Sequence, residues 1–150
     1  RHGNRDHPGV LSSLAAIGRT LALARRTREA NDYLNQADAM ASRLGGGPSV
    51  YLISIERSRG LLAQASGDLH GAEAPFLWAI QLADELLGRP SHRYATGAKL
   101  EYARLLLEAG RRGEAATVLE DVESLLVERV GEEHPSVSEA RGLLRVARPS

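Results

Sequence analysis

The 150-residue chain carries 19 basic and 19 acidic residues, so its formal charge is zero and no long-range field favours a nucleic acid or an anionic membrane as partner. It has no cysteine, which excludes disulfides, thiolate metal sites and cysteine nucleophiles together, and no apolar run near the ~20 residues that a bilayer-spanning helix needs. Aromatics make up only 4% while alanine and leucine dominate, a balance that favours helices over strands and gives an all-α expectation.

The first element follows Asp6-His7-Pro8. Val10, Leu14, Ile17 and Leu21 recur at helical steps and predict a helix over 9–25, with those residues on one face. Arg28-Glu29-Ala30 opens a second helix over 28–44, whose face is Ala30, Leu34, Ala37, Ala41 and Leu44. Gly45 to Pro48 then interrupts the pattern, and a third helix is expected over 49–66, closed by Gly67. His70-Gly71-Ala72 lies in a fourth helix over 69–87, with Ala72, Phe76, Ala79, Ala83 and Leu86 on one side. Pro75 falls inside it, close enough to the first turn that the usual interior cost of about 3 kcal/mol is reduced. After Gly88 to Pro90, Ala95, Ala98, Tyr102 and Leu105 mark a fifth helix over 92–109. Gly110 ends it, and Ala115, Leu119, Val122 and Leu126 mark a sixth over 112–130. Gly131 to Pro135 leads into a last helix over 136–147.

These elements are a repeat. The unit-opening prolines, Pro8, Pro48, Pro90 and Pro135, lie 40, 42 and 45 residues apart, and Ala30, Ala72 and Ala115 inside the units lie 42 and 43 apart. Each unit is thus a helix pair too short to bury its apolar face alone, which requires stacking on its neighbours. The expected architecture is one domain over 1–150, with units at about 7–46, 47–88 and 89–131 and a capping helix at 135–147. It is a right-handed superhelical solenoid of antiparallel helix pairs. The chain opens on Arg1 without a signal-peptide pattern and its only methionine is Met40, so a cytoplasmic module cut from a longer protein is expected.

The pattern resembles the tetratricopeptide repeat (TPR), in particular the longer kinesin-light-chain-like variant whose units open near a histidine-proline pair. Ile17-Gly18, Ala30, Leu34 and Ala37 resemble the motif in the first unit. Gly60, Gly67, Ala72, Phe76 and Ala79 do so in the second, and Tyr102-Ala103, Gly110, Ala115 and Leu119 in the third. Val122 replaces the last alanine, Arg59 stands where an apolar residue is expected beside Gly60, and Arg25 stands where the first turn lacks its glycine. Arginine at a packing position requires a covered stem and a head that reaches water or a carboxylate.

The resemblance implies that first helices line a concave groove. Its frame places Ser12, Ala15, Arg19 and Leu23 there, then Ser54, Arg57, Leu61 and Gln64, then Leu100, Glu101, Arg104 and Leu107. Arginine pairs bidentately with carboxylates, so the expected ligand is a protein or peptide segment with acidic and apolar side chains, set against the alternative that these residues are an ordinary solvated surface. Family members that clamp a peptide carboxylate carry an asparagine where this chain has Ala16, Ser58 and Glu101, which argues against that clamp here.

Little else carries chemistry. His7, His92 and His134 belong to loops at unit starts and have no partners at ligand spacing, so no metal is expected. Gly45-Gly46-Gly47-Pro48 lacks the lysine of a phosphate loop, and Glu132-Glu133 and Asp84-Glu85 are adjacent rather than stacked, as solvated charge is. Arg141, Arg145 and Arg148 form a basic stripe that reads as a solvated cap face, because the aromatic platforms of single-strand binders are missing. The leading expectation is a scaffold with no catalysis, no cofactor, no nucleic acid and no membrane. A second is the repeat tail of a bacterial signalling enzyme: modules resembling this one often follow serine/threonine kinase domains, and 18 arginines against one lysine suggest a high-GC coding sequence. A third is a homodimer through the edge helices 9–25 or 136–147.

Overall fold

The computed structural model describes residues 7–45, 50–89 and 92–149. Among them are seven helices and no strand: α1 (Pro8–Leu23), α2 (Thr27–Arg43), α3 (Val50–Ala65), α4 (Leu69–Leu87), α5 (Arg93–Glu108), α6 (Arg112–Val130) and α7 (Pro135–Ala147). Each sequence-derived boundary agrees within two residues. Pro48, Pro90 and Ser49, expected at unit starts, lie outside the described residues. Two compact units emerge, Arg1–Leu82 and Ala83–Ser150, and the division falls inside α4.

Three helix starts share one device. Pro8 and Pro135 occupy first-turn positions where their missing N–H costs nothing. The preceding His7 and His134 accept a hydrogen bond through Nδ1 from the backbone N–H of Gly9 and Ser136, at 2.9 and 3.1 Å. His92 caps α5 in the same way, accepting from Tyr94 N at 3.2 Å. The loop histidines are therefore caps for helix N–H groups that would otherwise lack acceptors.

The turns within the pairs share another. In each, the chain leaves its first helix through one residue in the left-handed region, at Arg25 (φ 61°), Gly67 (φ 85°) and Gly110 (φ 78°). Arg26 N donates to Leu21 O and Arg25 N to Ala22 O; Asp68 and Gly67 repeat this to Ala63 and Gln64, and Arg111 and Gly110 to Leu106 and Leu107. This is the Schellman pattern, in which two orphan carbonyls are satisfied at once. So short a turn makes each pair an antiparallel hairpin.

In the first unit α1 packs on α2 and α3, and α2 on α3. One cluster joins Leu11, Ala15, Ala37, Met40 and Ile55, and another joins Ala22, Ala30, Leu34 and Leu62. Close approach depends on missing side chains. A Cβ at Gly18 would come within 2.6 Å of Leu34, and one at Gly60 within 2.8 Å of the Phe76 ring. Leu34 and Phe76 are fully buried, and burial of such a side chain stabilises by about 1.5–3 kcal/mol. In the second unit α5, α6 and α7 pack on one another, with a cluster of Val122, Leu126, Val137 and Ala140.

One expected face is corrected. On α1 the buried residues are Leu11, Ala15, Gly18 and Ala22, whereas Val10 and Ile17 remain 43% and 41% exposed and Leu14 and Leu21 are partly buried. The periodicity was shared by two adjacent faces, and α2 selects the one with small residues because Leu34 needs the space above Gly18. Leu44 and Leu86, at the ends of their helices, are also exposed.

A non-glycine residue in the left-handed region costs on the order of 1 kcal/mol. Arg25→Gly is therefore expected to stabilise the chain by about 1 kcal/mol or somewhat less in urea titration, since glycine also adds entropy to the unfolded chain. Destabilisation on that exchange would show that the Arg25 side chain outweighs its backbone strain.

Candidate functional site

The residues expected to face a ligand fall on α1 and α3 in the first unit and on α5 in the second. Helices α1 and α3 lie side by side, and Ser54, Arg57, Leu61 and Gln64 follow one another at steps of three and four along α3, so they form one stripe. All four are half-buried. Leu61 packs against the Leu34 cluster, which makes it partly a core residue. On α1, Ser12 and Leu23 are exposed, Arg19 is half-buried, and Ala15 is buried inside the Leu11 cluster and presents nothing to a ligand. Arg19, Arg57 and Gln64 also interact with neighbouring groups, so their orientations are constrained before any partner arrives.

On α5, Leu100 packs against the Val122 cluster, Glu101 and Leu107 are half-buried, and Arg104 is exposed. Arg104 donates to Glu139 of α7. A ligand carboxylate at Arg104 therefore competes with one already supplied by the chain. Ser58, at the position where a clamp would carry asparagine, is fully buried and donates to Ser54 O at 2.9 Å. Glu101 and the exposed Ala16 hold the other two such positions.

Arg59 answers the question its sequence position raised. Its head reaches Glu56 at 3.0 Å on its own helix, and Asp38 at 3.0 Å and Asn35 at 3.3 Å on α2. The guanidinium thus clips α3 to α2. Glu56, with only 16% of its side chain exposed, has its pKa raised: loss of hydration outweighs the opposing attraction and hydrogen bond of Arg59, and Asp38 adds to the rise. A cavity of about 250 Å³ adjoins this clip, lined by Thr27, Asn31, Arg59, Leu62, Ala63, Ser66 and Asp68.

The C-terminal basic stripe is largely tied down. Arg141 donates to Glu123 and lies 3.7 Å from Glu132, and Arg148 donates to Glu120, so two of the three arginines fasten α7 to its surroundings. Two features were not singled out from the sequence. Trp78 and Leu77 on α4 are each 44% exposed, and a cavity of about 420 Å³ in the second unit is lined by Arg89, His92, Arg93, Arg129, Val130 and His134. The signal for the cavity was present in the arginines flanking the loop histidines, but their convergence depends on tertiary packing. Among the described residues, no group of three or more histidine or acidic side chains could hold a metal ion, and no helix is long and apolar enough to cross a membrane.

The arrangement of helices matches solved structures. Nearly identical TPR-like repeats assigned to a kinesin light chain of Podosopora anserina superpose with a TM-score of 0.79 at 23% identity, covering 94% of this chain and 66% of that one. A point variant of the same protein gives 0.78 at 21% identity with the same coverage. The shared property at that identity is the fold: this chain folds as TPR-like helical repeats and spans just under two thirds of those chains. No protein-family model and no curated protein matches it.

The raised pKa of Glu56 has a definite sign. Between its ordinary value of 4.5 and the higher folded value, the folded chain holds a proton that the unfolded chain has lost. The stability contributed by this group is full below 4.5 and declines as pH rises through the folded pKa. Relative to Glu56→Gln, wild type is expected to lose stability as pH is raised through that window. Parallel urea-midpoint curves for the two proteins would show that Glu56 titrates normally.

Proposed function

We propose that the chain is a non-catalytic protein-interaction scaffold that holds a segment of a partner protein along the first helices of its hairpins. The observation that carries this reading is the α3 stripe beside α1. Ser54, Arg57, Leu61 and Gln64 are half-buried and partly fixed by core packing, next to a helix bearing Arg19 and the 62% exposed Leu23. Side chains already restrained lose less entropy when they bind, and a mixture of apolar stems with guanidinium forks suits a segment carrying acidic and apolar residues. The TPR-like fold supports the same reading, since repeat folds present extended surfaces rather than closed reaction chambers. Arg104 contributes less than its position suggests, because a ligand carboxylate there must displace Glu139.

A second reading, association of two copies through α1, is favoured by Val10 and Ile17. They sit seven residues apart on one side of α1 and are exposed despite being large and apolar.

A peptide-array screen comparing wild type with an Arg19→Ala, Arg57→Ala, Arg104→Ala triple variant tests the first reading. Acidic-apolar ligands are expected to be captured by wild type and lost by the variant; equal capture by both removes these arginines from the binding surface. Sedimentation of wild type and Val10→Glu, Ile17→Glu tests the second. A concentration-dependent dimer abolished by the double variant supports self-association, and a wild-type monomer at high concentration rules it out.

A further inference from the structure

We infer that the outer face of α1 is a docking surface for another helical hairpin of this repeat, whose second helix lies on it as α2 lies on α3. The inference goes beyond the partner-segment reading, because none of the residues involved is among those placed in the groove.

The repeat supplies the comparison. Gly18 under Leu34 and Gly60 under Phe76 are equivalent contacts with both members 42 residues apart, so α1 and α3 align at that step. Val10, Ser13, Ala16, Ile17 and Thr20 then correspond to Leu52, Ile55, Ser58, Arg59 and Leu62. On α3 all five are covered or engaged. Ile55, Ser58 and Leu62 are buried, Leu52 packs on the Leu11 cluster, and Arg59 reaches across to Asp38 of α2. The shared caps His7-Pro8 and His134-Pro135 align α1 with α7 at a step of 127, where the counterparts are Val137, Ala140, Leu143, Leu144 and Ala147. Val137, Ala140 and Ala147 are buried, the two leucines are half-buried, and Val137 and Ala140 join the cluster of Val122 and Leu126 on α6. Of these three helices, α1 alone has all five positions exposed.

This face can lose its water at low cost. None of the five side chains is charged, and both hydroxyls are already satisfied: Ser13 Oγ donates to Gly9 O at 3.0 Å and Thr20 Oγ1 to Ala16 O at 2.9 Å. Ser58 makes the same bond to Ser54 O and is fully buried, so a hydroxyl held in this way on this face needs no further partner. Val10 and Ile17, two turns apart, supply the large apolar contacts.

The covered helix α3 shows what fits. Against it α2 sets Leu34, Ala37, Met40 and Ala41, with Asn35 and Asp38 answering Arg59. Ile17 stands where α3 has Arg59, so an acid opposite it would lose hydration and gain no cation. The helix that covers α1 therefore keeps the alanine and leucine stripe of α2 and carries an apolar residue at the Asp38 position. The repeat makes that exchange once already, at Ile80 of α4, 42 residues on. In a second copy of the chain the corresponding faces of α2 and α6 are taken by α3 and α7, so those helices have no such face to offer.

The test extends the whole chain. Residues 8–47 are duplicated ahead of Pro8, which puts a further first hairpin before α1 at the 40-residue step from Pro8 to Pro48, with Asp38→Leu made in the added copy. Attachment holds the hairpin at high effective concentration. The urea midpoint is expected to rise above that of the parent chain, and to rise less when the added copy keeps Asp38. Ile17→Glu in the original α1 should abolish the rise in the extended chain while shifting the parent midpoint little, since Ile17 is exposed there; the parent variant thereby shows that the exchange leaves the fold intact. No rise, a rise that survives Ile17→Glu, or equal midpoints with aspartate and leucine in the added copy would each overturn the assignment. So would a concentration-dependent dimer of the parent chain that Ile17→Glu dissociates, which gives the face to a second copy.

Discussion

The close approach of paired helices, with a large side chain of the second resting where the first has no Cβ, is the constraint on which the rest of this fold depends. Gly18 under Leu34 and Gly60 under Phe76 set the distance between partners. Once that distance is fixed, the buried faces must be small, and alanine supplies them at Ala15, Ala22, Ala30, Ala37, Ala72 and Ala79. A core so rich in alanine contributes little apolar area per residue. The remaining large side chains, with Phe76 the only phenylalanine in the chain, therefore each account for a disproportionate share of the driving force.

Tight apolar packing moves electrostatic work to the helix edges. Arg59 bridges α3 to α2, Lys99 bridges α5 to Asp121 of α6 at 3.2 Å, and Arg104 and Arg148 join α7 to α5 and α6. The two pairs exposed on both sides, Arg104–Glu139 and Arg148–Glu120, contribute at most about 1 kcal/mol each. Their larger effect is on specificity of packing, because each cation must find its acid on a particular neighbouring helix.

The fold was legible because its signals are local and repeated. Glycine or proline punctuates every boundary except the α1–α2 turn, where Arg25 stands, and the recurrence of Ala30, Ala72 and Ala115 sets the register of the hairpins. The face of α1 was misjudged because Val10, Leu14, Ile17 and Leu21 keep helical spacing as well as Leu11, Ala15, Gly18 and Ala22 do. Spacing alone cannot choose between adjacent stripes, whereas Leu34 pressing on Gly18 can. Arg25 was recognised as a departure at a turn, and the backbone keeps the turn by accepting the left-handed conformation. Individual side-chain roles were less accessible. That Arg104 is held by Glu139 and that Arg89, Arg93 and Arg129 line one cavity are facts of tertiary distance, joining positions 35 residues apart in the first case and separate segments in the second.

Trp78 has a consequence of a different kind. It is the only tryptophan in the chain, it is 44% exposed, and it lies on α4 two residues from the fully buried Phe76. A single indole at a half-wetted position gives the molecule one intrinsic fluorophore whose emission depends on the solvent around one helix. Tyrosine contributions can be avoided by excitation at the red edge of the absorption band, so quenching by small solutes reads the accessibility of α4 directly, without a label or an engineered reporter.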